Sequence, residues 1–163
     1  MKVIKGIRYA TICILILLCE MTFGTYIEVS GAVPMLSFCL CIVVALFEDD
    51  MNFITGVAAV TGGIVDVLTG YGFGTYTFTF TLSALITFYI RDRLFSSKVL
   101  FMIIDVFVLS VFTNIIYYLL HMKDIGNSFG SLFVSIMLPS AIYNVFVSLI
   151  FYPILKLTMY KRR

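Results

Sequence analysis

The placement of basic residues between long apolar runs constrains this chain more than any other feature. Six apolar runs can be drawn through its 163 residues, and the short segments between them alternate from one side of a bilayer to the other. One side collects Lys2, Lys5, Arg8, Arg91, Arg93, Lys98, Lys156, Lys161, Arg162 and Arg163, whereas the other holds Lys123 alone. Lysine and arginine bias in short loops sets membrane orientation, with the basic side cytoplasmic. The expected fold is therefore all-α: a single polytopic membrane domain over 1–163, with about six transmembrane helices and both termini in the cytoplasm.

Composition points the same way. With 61% hydrophobic and 12% charged residues, the chain has too little polar surface to cover a water-soluble globule. The net charge of +2 is spread over three cytoplasmic patches that suit membrane anchoring, and no nucleic-acid partner is expected. The first run is too long for the apolar core of a signal peptide, and no small-residue cleavage pattern follows it. It is expected to remain as the first span. Cys13, Cys19, Cys39 and Cys41 fall within the first two runs. Metal or redox chemistry would need them in a polar, accessible pocket, so they are expected to act as small apolar fillers.

The spans are drawn at about 7–26, 32–47, 53–68, 75–90, 99–120 and 139–158. Pro34 is placed in the first turn of the second, where a missing N–H is harmless. Spans two to four hold about 16 residues each, or roughly 24 Å of helix, against a hydrocarbon core of about 30 Å. Shielding by neighbouring helices is the expected remedy. Near the end, Pro139 interrupts an apolar stretch. The arrangement drawn from sequence makes 129–138 a short interfacial or re-entrant piece and lets Pro139 open the last span. A single kinked helix is the competing picture. The run from Thr75 to Thr81 alternates polar and aromatic residues like a half-buried strand. A lone strand in lipid would leave its backbone unpaired, so a helix with threonines bonded to its own carbonyls is expected.

Polar groups inside the spans carry the information, because an ionised one costs about 2.5–3.5 kcal/mol at mid-membrane. In the third span Gly56, Ala59, Gly62, Gly63, Asp66 and Gly70 share a sector of about 120° on the helical wheel. A glycine face admits a neighbouring backbone closely, so Asp66 is expected to point into the protein and bond a neighbour as a protonated donor. A substrate or proton site is the alternative. Gly70, Gly72 and Gly74 allow a tight hairpin to the fourth span, and no strand or basic residue stands nearby to make a phosphate loop.

Glu20 lies on the side of the first span shared by Tyr9, Cys13 and Gly24. Asp105 sits on the Lys98 side of the fifth span, with Ser110, Asn114, Tyr117 and His121 on the opposite side. Ser140, Asn144 and Ser148 form a polar stripe in the last. These groups are expected to bond one another across helices for about 1 kcal/mol each, and His121 to be a solvated interfacial histidine rather than a pH sensor. No nucleophile–base pair or histidine cluster can be assembled. Neither an enzyme nor a bound cofactor or metal is expected.

Together these residues resemble a known family. Val33-Pro34 opens a span, Gly56, Gly62, Gly63, Asp66, Gly70 and Gly74 follow, and Leu138, Pro139, Ser140, Ala141, Ile142, Tyr143 and Asn144 come near the end. The pattern is similar to the rod shape-determining protein MreD family, in size, span number and the glycine-flanked aspartate of the third span. The chain departs from it at Met35, where the family often has an acidic residue. The resemblance implies a non-enzymatic membrane scaffold in the machinery that elongates the wall of rod-shaped bacteria. Its implied neighbours are the bitopic MreC, the actin-like MreB and the wall-synthesising glycosyltransferase and transpeptidase. A rival reading is the substrate-binding component of an energy-coupling-factor vitamin transporter, a structurally similar class that would grip a ligand with Glu20, Asp66 or Asn144. The run from Tyr9 to Leu18 lacks the four-residue repeat of small residues with which those components dock.

Overall fold

The computed structural model describes residues 2–23, 26, 32–70, 74–91, 97–120 and 129–160. The elements are α1 (Lys2–Phe23), α2 (Leu36–Phe47), α3 (Met51–Thr69), α4 (Thr75–Ile90), α5 (Lys98–Leu120), α6 (Phe129–Leu132), a π-helical turn (Phe133–Met137) and α7 (Leu138–Tyr160). No strand occurs among the described residues, and the alternating run from Thr75 is helical. Thr79 bonds back to the Thr75 carbonyl at 2.9 Å, the arrangement that lets a threonine-rich segment stay helical.

Among the described residues, three helical stretches are long and apolar enough to cross a membrane: Met51–Thr69, Lys98–Leu120 and Phe129–Leu157. Shorter apolar helices run over Thr11–Thr22, Leu36–Phe47 and Thr75–Ile90. Exposed side chains such as Leu18, Val60, Val108, Phe146 and Leu157 are apolar, as a lipid-facing surface requires.

The centre of the bundle is α2. Its residues from Ser37 to Leu46 are all buried, and it packs against α1, α3, α4, α5 and α7. A helix that is apolar all round belongs in an interior. At 12 residues, or roughly 18 Å, it cannot span a bilayer core by itself. Its neighbours provide the shielding expected for short spans. Around it α3 and α4 make an antiparallel hairpin, α5 packs on α7, and α1 touches α2 and α3.

Two proline expectations need correction. Residues 129–160 form one contiguous helical segment, not a re-entrant piece followed by a separate span. Pro139 would clash with the Ser135 carbonyl in a regular helix. The π turn just before it widens the backbone, and the Leu138 N–H reaches the Phe133 carbonyl instead. Pro34 lies outside α2, because Met35 is the residue flanking the first turn. Met35 has φ −91° and ψ 85°, and its N–H is drawn to Asn144 rather than into the helix.

Candidate functional site

Several polar side chains of the interior serve the ends of neighbouring helices. In hydrocarbon the unpaired N–H and C=O groups of a helix terminus must find protein partners, since no water is present to serve them.

The first such end is the start of α4. Gly74 flanks the helix with φ 104° and has no side chain to cap it. Asp66 of α3 does so instead. Its Oδ2 accepts from the Gly74 N–H at 3.0 Å, the Thr77 N–H at 2.9 Å and the Thr77 hydroxyl at 2.6 Å, while Oδ1 accepts from the Tyr76 N–H at 2.8 Å. Every partner is a donor, so Asp66 acts as an acceptor-only carboxylate. The donor role expected from sequence is not the one found, because three backbone N–H groups take Asp66 as their acceptor. Gly62 makes the approach possible: a Cβ there would lie 2.6 Å from the Tyr76 carbonyl oxygen and 2.7 Å from Thr77 Cα. Gly63 is looser, with Thr77 Oγ1 at 3.5 Å from such a Cβ. Gly56 meets nothing within 4 Å and is exposed. Gly70 ends α3 in the left-handed region at φ 67°, returning its N–H to the Asp66 carbonyl at 3.1 Å. Residues 71–73 of the glycine connection lie outside the described residues.

The second is the start of α2, closed from two sides. Asn144 Oδ1 of α7 accepts the Met35 N–H at 2.7 Å, and Glu20 Oε2 of α1 accepts the Ser37 N–H at 2.9 Å. Asn144 Nδ2 donates to Ser110 Oγ of α5 at 2.6 Å, and its backbone carbonyl accepts from Cys39 Sγ at 3.2 Å and Ser148 Oγ at 2.7 Å. Ser140 Oγ donates to the Val33 carbonyl at 3.4 Å. One buried asparagine thus joins α2, α5 and α7.

The opposite end of α2 is held by Arg91, just past α4. Its Nη1 donates to the carbonyls of Ala45, at 2.9 Å, and Glu48, and its Nη2 to Asp49 Oδ1 at 2.9 Å. The guanidinium carbon stands 4.6 Å from the Phe88 ring centroid. A carboxylate at the N-terminus and a guanidinium at the C-terminus both complement the dipole of α2.

The chain matches the model of the rod shape-determining protein MreD family over residues 4–162. It belongs to the MreD family. No curated protein and no solved structure matches it. Membership gives the chain a role in rod shape determination, and its apolar helices fit a membrane protein.

Within this MreD chain the polar residues singled out from sequence divide into three groups. Glu20, Asp66 and Asn144 reach across helices as described. Asp105 is buried on α5 and accepts the Thr87 hydroxyl of α4 at 2.6 Å, apart from the Asn144 cluster. Asn114 does not cross: its Nδ2 turns back to the Ser110 carbonyl of its own helix at 3.1 Å. Tyr117 stacks on Tyr76 at 5.7 Å between centroids. Gly24, Arg93, His121 and Lys123 lie outside the described residues.

Two residues were missed. The sequence reading makes Arg91 a cytoplasmic anchor only, although the acidic run from Glu48 to Asp50 on the same side signals a partner. Asp50 caps α3, accepting from the Asn52 and Phe53 N–H groups at 3.2 and 3.3 Å. An aspartate just before an apolar helical run was the available signal.

Proposed function

We propose that this protein is a non-enzymatic membrane scaffold of the cell-wall elongation machinery, crossing the inner membrane six times with both termini cytoplasmic and holding an MreC-like bitopic partner. MreB and the wall synthases are reached through that partner. Pro34, Gly62, Gly70, Gly74 and Pro139 shape the chain's own packing in this reading, while Gly56 faces outward for the partner. From the energy-coupling-factor components the reading borrows the six-helix plan alone.

The observation that carries it is the fate of the buried polar groups. Glu20, Asp66 and Asn144, which a ligand-binding component would aim into a cavity, are bonded to backbone groups of neighbouring helices. They brace a frame. What the frame offers a partner is helix surface. On α3, Gly56 is open and Val60 is 64% exposed, leaving a shallow place where a foreign helix can come close.

The test is complementation. Cells depleted of this protein should turn from rods to spheres, and plasmid-borne wild type should restore rods. Retention of rod shape on full depletion would refute the proposal. Reporter fusions check the topology: one after Arg163 should be cytoplasmic, and one near Asn127 external.

A further inference from the structure

A second outward surface has different chemistry. Between α5 and α7 runs a groove of about 310 Å³ lined by Ile103, Ile104, Phe107, Ile142, Val145 and Phe146. It contains no glycine, alanine, serine or polar side chain. Helices associate in lipid through small or hydrogen-bonding residues, so this wall of branched and aromatic side chains suits a thin, flexible hydrocarbon chain better than a helix.

A charge stands farther along the same face of α7, toward its C-terminal end. On α7, Ile142, Phe146, Leu149 and Lys156 recur at helical spacing and share a face, on which Phe146, Leu149 and Lys156 are all exposed. The Lys156 ammonium lies 5.9 Å from the centroid of the Tyr152 ring, one turn inward. No carboxylate pairs with it among the described residues. Ten residues separate Phe146 from Lys156, about 15 Å of helix, which is half of a hydrocarbon core of about 30 Å. A lipid of one leaflet whose phosphate meets Lys156 therefore brings its chain to the groove.

We propose that the α5/α7 groove seats an acyl chain of an anionic glycerophospholipid whose phosphate pairs with Lys156. The inference rests on these helices being membrane-embedded, and it is independent of the scaffold role. Charge complementarity selects the anionic headgroup, and the end of α7 that carries Lys156 selects the leaflet.

The chain has no tryptophan, so single probes report cleanly. F146W reads the groove, I142W serves as a second groove probe, and V60W on α3 reads ordinary lipid contact. Each full-length variant is reconstituted in phosphatidylcholine vesicles containing a small fraction of phosphatidylglycerol with brominated chains. Quenching of the groove probes should show about a fivefold preference for the anionic lipid over that seen at V60W, the effect of one basic residue near the surface. Adding K156Q should abolish that excess and leave V60W unchanged. Equal dependence at groove and control probes, or an unchanged preference with K156Q, would overturn the proposal. Shielding of the groove probes from all brominated lipid by a coreconstituted bitopic protein would assign the groove to a protein and overturn it too. Quenching at no probe would remove the membrane placement itself, and the lipid site with it.

Discussion

The Thr77 hydroxyl and the Thr77 N–H both donate to Asp66 Oδ2, at 2.6 and 2.9 Å. An aspartate near the end of one helix therefore does for the next helix what a local capping side chain ordinarily does. The same device recurs at α2. Met35 provides no side-chain cap, and Glu20 supplies a carboxylate from α1.

Asp66→Asn is expected to be damaging, contrary to the mild effect that a protonated aspartate would give. An amide brings a donor to a site already crowded with donors, and leaves at least one buried N–H unpaired. The expected loss is about 1–3 kcal/mol. Unfolding in mixed detergent micelles measures it, and stability equal to wild type would contradict the capping role.

Gly62→Ala and Gly63→Ala should separate sharply. At Gly62 the new methyl group meets the α4 backbone at 2.6 Å, so the hairpin must open, at about 1–3 kcal/mol. At Gly63 it meets only the Thr77 hydroxyl at 3.5 Å, and the change should stay within about 0.5 kcal/mol. The same unfolding assay ranks them.

Asn144→Leu should be among the most harmful single changes. It leaves the Met35 N–H and the Ser110 hydroxyl without their partner, each at about 1–3 kcal/mol when buried. Ser110→Ala removes one bond only and should cost less. Equal effects would mean that Asn144 works by volume rather than by bonding.

The Arg91 clamp has a strong part and a weak one. Asp49 is 63% exposed, so Asp49→Asn should change stability by about 0–1 kcal/mol. Arg91→Lys loses the planar guanidinium whose Nη1 serves the Ala45 and Glu48 carbonyls while Nη2 holds Asp49, and should cost about 1.5–3 kcal/mol. Thermal unfolding of the two variants in one detergent decides this. The reverse order would show that the ion pair dominates.

Much of this was legible in the sequence. The glycine face of the third span placed Asp66 inside, and a four-residue repeat placed Ser140, Asn144 and Ser148 on one stripe. Periodicity reports an angle around a helix, however, and not which stretch of that angle has a neighbour. Gly56 and Gly62 share a sector, yet α4 presses on one and leaves the other open. Pairings such as Asn144 with Met35, 109 positions apart, depend on tertiary neighbours that no local pattern names. Pro139 misled for a different reason: a π turn relieves the clash that a proline creates, and residues 133–137 carry no composition that announces one.

The most direct measurement is copurification of an MreC-like bitopic protein with wild type, Gly56→Leu and Gly63→Ala, each first checked for unchanged unfolding. Wild type and Gly63→Ala should retain the partner in high salt, because apolar helix packing is screened far less than exposed ion pairs. Gly56→Leu fills the open place on α3 and should lose the partner while the fold stays intact. Full partner recovery with Gly56→Leu, or no bitopic protein recovered with wild type, would contradict the account.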